Sequence, residues 1–112
     1  MKRIPATRDL LAVWNDHSGR FPTPTYKSTF WNGHEWGIHR TPLSCAISKD
    51  DGISWEHYYL LEDAPDHGFC YTAIHFTDDA VLLAYCAGGA STKMVLDRLR
   101  MRRILLSELY QA

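Results

Sequence analysis

Two stretches of this chain carry residue types associated with catalysis, and in both the spacing is wrong for it. In His34-Glu35-Trp36-Gly37-Ile38-His39 the histidines stand five apart in a glycine-bearing segment. A helical zinc site needs histidines four apart so that both nitrogens face one ion, so no metal is expected. Ala87-Gly88-Gly89-Ala90 lacks the lysine and the following helix that let a glycine loop cradle phosphate. Cys45, Cys70 and Cys86 form no C-x-x-C pair, and each sits in an apolar, strand-like run where a free cysteine behaves as a small buried hydrophobe. No nucleophile elbow is present, and no cofactor is expected. The remaining chemistry is that of turns and of stacking. Ser48, Asp50 and Ser54 carry short side chains that hydrogen-bond nearby backbone N–H groups and build a tight turn. Gly52 suits a position with positive φ. Trp55 opens the aromatic and aliphatic run that follows. Tyr26, Trp31 and Trp36 present ring faces suited to stacking on sugars.

The elements that position these residues are strands. Leu10 to Trp14 is an apolar run ended by Asn15-Asp16-His17-Ser18-Gly19, predicting a strand and a turn. Residues 20 to 39 mix Pro22, Pro24, Gly33 and Gly37 with five aromatics, which predicts a long ordered loop with a small hairpin at Trp31-Asn32-Gly33-His34. Leu43 to Ser48 and Trp55 to Leu61 form one antiparallel hairpin, and Tyr71 to Phe76 with Val81 to Cys86 form another across Thr77-Asp78-Asp79-Ala80. Leu96, Leu99, Arg103 and Leu106 suit a helix face, whereas Arg98-Leu99-Arg100-Met101-Arg102 alternates as a strand does; the company of strands favours the strand. The architecture expected is all-β.

A chain of 112 residues holds one domain and a modest core. Its hydrophobic content of 46% and formal charge of -1 fit a soluble globular protein and give nucleic acid no basic surface. No apolar run approaches the ~20 residues of a membrane span, and Met1-Lys2-Arg3-Ile4-Pro5 lacks a signal peptide's apolar core, so no membrane partner and a cytoplasmic location are expected.

Ser48-Lys49-Asp50-Asp51-Gly52-Ile53-Ser54-Trp55 reproduces the S-x-D-x-G-x-[ST]-W pattern of an Asp box. Arg3-Ile4-Pro5-Ala6 ahead of Asp9-Leu10-Leu11-Ala12-Val13 resembles an R-I-P motif, and the Tyr71-to-Cys86 hairpin is similar to one that begins Tyr-Ser and ends Leu-Leu-Tyr-Glu. Together these resemble the sialidase-like, BNR-repeat β-propellers. The resemblance spans Lys2 to Leu106 and implies propeller blades, just under two of the roughly six four-stranded blades of a whole propeller. Residues 1–62 would be a first blade, with the 20–39 loop inserted and the Asp box at 48–55, and residues 63–112 an incomplete second blade, as in a C-terminal portion of such a protein.

The resemblance also implies roles. Arg3 and Arg40 would clamp a substrate carboxylate. Arg102 or Arg103 would supply a third arginine or else line a solvated strand edge. Tyr71 would be the nucleophile, and Asp16 either the acid/base or a turn-forming Asx residue. The glutamate that assists the tyrosine falls at Cys86, a departure that disfavours turnover. Three functions stay open: a sialidase-like glycoside hydrolase, a binder of acidic carbohydrate using Trp31, Trp36 and Tyr26, and a truncated propeller with an assembly role. Because blade faces need neighbours, a head-to-tail homo-oligomer is expected, a trimeric ring by blade count.

Overall fold

The computed structural model describes residues 1–22, 40–89 and 95–112. The aromatic loop with Tyr26, Trp31 and Trp36 and the His34/His39 pair lie outside the described residues. The described residues are all-β apart from short helical turns. Strands β1 (Lys2–Arg3), β2 (Leu10–Asn15), β3 (Leu43–Ser48) and β4 (Glu56–Glu62) form one antiparallel sheet in chain order. Strands β5 (Cys70–Phe76), β6 (Ala80–Cys86) and β7 (Leu99–Leu105) form a second, also in chain order. A 3₁₀ turn at Val95–Asp97 leads into β7, and a single helical turn α1 (Leu106–Tyr110) follows it.

The period-two pattern accounts for most of this. In β6, Val81, Leu83 and Tyr85 are buried and alternate with partly exposed Leu82, Ala84 and Cys86. All of β3 is buried, because it is an interior strand between β2 and β4: Leu43, Cys45 and Ile47 enter the core, and Ser44, Ala46 and Ser48 lie on the other face, where Ser44 pairs with Trp14. One core joins the sheets, with Leu11, Cys45, Ile47 and Leu61 from the first meeting Val81, Leu83, Tyr85 and Ile104 from the second. Burying a side chain of this size contributes about 1.5–3 kcal/mol.

The C-terminal segment is a strand over Leu99–Leu105, as its company predicts, but its polarity is reversed. Leu99 and Met101 are 73% and 64% exposed, while Arg100 and Arg102 face the other sheet. Arg100 grips both carboxylate oxygens of Glu62 at 2.8 and 2.9 Å, and Arg102 donates to the Leu61 carbonyl. Glu62 also accepts the Tyr85 hydroxyl at 2.8 Å, so the inward arginines are matched by acceptors at the end of β4. A helical turn after β7 was not expected from the sequence. Leu106 and Leu109, three apart, seat it on the core, and the Tyr110 hydroxyl donates to Asp9 while meeting Thr7.

Three register shifts interrupt the ladders, one between Leu43 and Ser44 and two at residues with positive φ. His57 and Tyr58 oppose Ala46, and Tyr71 and Thr72 oppose Tyr85, with His57 at φ 55° and Tyr71 at φ 57°. A bulge residue with positive φ is usually glycine. Neither position carries one, so no residue type announces either bulge.

Candidate functional site

The Asp-box residues form a closed turn at the β3–β4 end. Asp51 at φ 59° and Gly52 at φ 90° are the central pair of a type I′ turn, closed by the Ile53 N–H on the Asp50 carbonyl at 3.4 Å. The Ser48 hydroxyl donates to Asp50 Oδ1 at 2.9 Å and accepts the Gly52 N–H at 2.7 Å. Asp50 Oδ1 accepts the Ser54 N–H at 2.8 Å and Oδ2 the Ser54 hydroxyl at 2.5 Å. These bonds, the Ser54 hydroxyl's foremost, hold the Asp50 carboxyl below the usual aspartate range. Both Asp50 carboxylate oxygens are engaged within the turn, which holds the β3–β4 connection closed. Trp55 stands just ahead of β4, is half-buried, and lies on the outer face of the first sheet.

The implied arginine clamp is not assembled within one chain. Arg3 belongs to the Asp-box end: it pairs with Leu10 and reaches the Arg8 carbonyl and Asp51 Oδ1. Arg40 lies beyond the opposite end of β2, where Leu43 faces Asn15. Five residue steps along β2 separate the two ends, about 17 Å at a strand's rise. Arg102 and Arg103 lie on the edge strand β7, bonded to the Leu61 carbonyl and to Asp79.

Asp16 is 2% exposed. Burial alone would raise its carboxyl, but the Ser18 hydrogen bonds and the Arg20 guanidinium at 2.8 Å outweigh it and leave the group below its ordinary value. A carboxyl held ionised, with both oxygens engaged, anchors the Asx turn and does not act as a proton donor. The ion pair also lays Arg20 over the Tyr58 ring, 3.5 Å from its centroid.

Arg40 and Tyr71 are brought together. The Arg40 carbonyl accepts the Phe69 N–H at 2.7 Å, which sets Arg40 beside the start of β5, and its guanidinium stands 5.5 Å from the Tyr71 ring. Asn15 fastens the corner by donating to the Pro42 and Phe69 carbonyls at 3.2 and 3.1 Å. The bulge turns Tyr71 outward, 69% exposed. Arg40, Tyr71, Thr72, Cys70, Asn15 and Trp14 thus surround a cavity of about 130 Å³. Among the described residues no carboxylate pairs with Arg40.

Trp14 also belongs to a second concavity of about 260 Å³ with Ala12, Trp55 and Tyr58, and its ring meets Tyr58 edge-on at 6.2 Å. Sequence reasoning sought stacking aromatics in the 20–39 loop and missed this group. The signal was present as alternation: Ala12 and Trp14 share one face of β2, opposite Leu11 and Val13.

A tyrosine–glutamate pair does exist, at Tyr85 and Glu62. Tyr85 is 1% exposed, and burial followed by the Glu62 contact pushes its hydroxyl well above the usual tyrosine value, so it is a structural donor and no nucleophile. Among the described residues no three His, Cys, Asp or Glu side chains are grouped to hold a metal, and no helix is long and apolar enough to cross a membrane. No protein-family model matches the chain, and neither a curated protein nor a solved structure is significantly similar to it.

Proposed function

We propose that this chain is a sialidase-like, Asp-box protein that binds acidic carbohydrate and does not hydrolyse it. The observation that carries the reading is Trp14, which lines both the Arg40 cavity and the aromatic groove, so that a cation and stacking surfaces adjoin. A cavity of about 130 Å³ is smaller than the ~300–1,000 Å³ of sites for drug-sized ligands. It suits a sugar's carboxylate, with the ring extending over Trp14 toward Tyr58 and Trp55. A guanidinium paired with no carboxylate among the described residues provides the donors for a carboxylate, and aromatic faces supply apolar contact to a pyranose.

The surroundings of Tyr71 argue against turnover. Among the described residues no carboxylate contacts its hydroxyl, Cys86 stands where the resemblance calls for glutamate, and Asp16 is committed to Arg20. Titration calorimetry with a sialic acid, glucuronic acid and glucose tests the reading. The two acids are expected to bind and the neutral sugar to bind weakly or not at all. Arg40→Ala should cost about 1.5–3 kcal/mol, the range for a hydrogen bond to a charged group, or roughly 10- to 150-fold in affinity. Equal affinity for glucose, or an unchanged Arg40→Ala variant, would remove the cationic subsite from the proposal.

A second reading, assembly, rests on the outer face of the second sheet. Leu99, Met101 and Leu105 are 73%, 64% and 41% exposed on one face of β7, next to Leu82 and Ala84 of β6. If the two sheets are propeller blades, this face seeks the outer face of the first sheet in another chain, and head-to-tail repetition closes a ring of three. Light scattering that finds a stable monomer would exclude the ring; a dimer would keep assembly and discard the blade count.

A further inference from the structure

We propose that Cys70 and Cys86 form a reversible disulfide that sets the state of the Arg40 cavity. The two are register partners across β5 and β6. Opposed residues of an antiparallel pair have Cα atoms about 4.5–5.5 Å apart, inside the ~4.4–6.8 Å that a disulfide spans, and their side chains leave the sheet on the same side. Both are free cysteines, and Cys86, the less buried, is open to a reagent. Cys45 provides an internal control, since it is fully buried and burial pushes its thiol up to about 12.

The reaction is thiol–disulfide exchange with a low-molecular-weight disulfide such as oxidised glutathione. The Cys86 thiolate attacks one sulfur of the reagent, forming a mixed disulfide and expelling the first small thiolate. The Cys70 sulfur then attacks the Cys86 sulfur, breaks the mixed disulfide and expels the second. Two protein thiols are oxidised, one small disulfide is reduced to two thiols, and the protons from Cys70 and Cys86 end on the released sulfurs.

The consequence for the cavity follows from position. Cys70 lines it and directly precedes Tyr71, whose positive φ marks the bulge. A covalent bond at Cys70 fixes the ladder at the foot of that bulge and so restricts where Tyr71 can stand relative to Arg40. Restricting a site in its binding geometry tightens binding, so the oxidised form is expected to hold an acidic sugar more tightly, by about fivefold or more. This second step rests on the carbohydrate reading; the disulfide does not.

The test equilibrates the whole protein in glutathione buffers of graded redox ratio and counts thiols by alkylation and mass. The expected result is a fall from three free thiols to one, reversed by reductant. Trypsin leaves Cys70 and Cys86 together in the peptide from Asp50 to Lys93 and Cys45 in a separate one, so the loss of two hydrogens must fall in the former. Cys86→Ser should retain its thiols or stop at a mixed disulfide; if that variant does not fold, the mapping of the unaltered protein decides alone. Three thiols persisting under oxidant, or glutathione adducts that never resolve, would overturn the bridge. Calorimetry of the reduced and oxidised forms with a sialic acid then decides the coupling, and equal or weaker affinity of the oxidised form overturns it. Binding by neither form would refute the carbohydrate reading and leave the disulfide to be judged on the thiol count.

Discussion

Replacing Tyr85 with phenylalanine tests how the two sheets are joined, because it deletes the hydroxyl that crosses from β6 to Glu62 and keeps the ring. That ring is 1% exposed and meets Phe69 edge-on at 6.2 Å, a contact the variant retains. The lost bond is 2.8 Å long and made to a carboxylate, a class contributing about 1.5–3 kcal/mol. Glu62 Oε1 still accepts Arg100 at 2.9 Å, so it is not left bare, and the lower part of that range applies, about 1.5–2 kcal/mol. For a chain of this size that is a fall of roughly 6–8 °C in Tm at pH 7. The pH dependence sharpens the test. The Tyr85 hydroxyl titrates well above its ordinary value, first because of burial and then because of Glu62. Its stabilisation is therefore complete below the unfolded value near 10 and is lost as pH climbs toward the folded one. Above pH ~10 the difference between the parent and Tyr85→Phe should narrow by ~1.4 kcal/mol per pH unit, since only the parent has the Tyr85 proton to lose there on unfolding. Tyr110, also pushed up to about 12, by burial and then Asp9, is present in both and cancels. Urea unfolding at pH 7, 10 and 11 reads all three points. Equal stabilities at pH 7, or a gap that stays constant to pH 11, would refute the reasoning.

Gly89→Ala places a Cβ 2.3 Å from the Asp66 carbonyl oxygen, a backbone atom that cannot turn aside, and should cost about 1–3 kcal/mol in chemical denaturation. Asp16→Asn should flatten the acid side of the stability curve: the Asp16 carboxyl contributes stability above its ordinary value near 4, lost as pH falls through its lower folded value, and thermal melts between pH 2 and 5 would show the flattening. Asp50→Ala should lower stability while acidic-sugar affinity measured by calorimetry is unchanged, because its bonds close the turn at the end of the sheet far from Arg40. Trp55→Ala should cost less than the ~3–5 kcal/mol of a core tryptophan in the same denaturation assay, since the ring is half-buried on the outer face.

The division between what the sequence holds and what the fold adds follows the range of the interactions. Leu43–Ser48 occupies the span its residues predict, and the second hairpin lies within a residue of its predicted limits, because strand alternation and turn chemistry are settled by neighbours a few positions apart. The Asp box is the purest case: Ser48, Asp50, Gly52 and Ser54 bond almost entirely with one another, so a local pattern suffices to state a local structure. The site is a different matter. The resemblance makes Arg3 and Arg40 one clamp, yet β2 runs its full length between them. Arg102 reads as a third clamp arginine or a solvated strand edge, yet it and Arg100 point inward because the Leu61 carbonyl and Glu62, some forty residues earlier, stand ready to accept them. Tyr71 is aimed at Arg40 by a bulge with no glycine to announce it. Trp14 gains its position between two concavities only when β4 brings up Trp55 and Tyr58 and the second sheet brings up Cys70 and Tyr71. Charge partners and cavity walls come from residues far apart in sequence, and only the packing of one sheet on the other decides which of them meet.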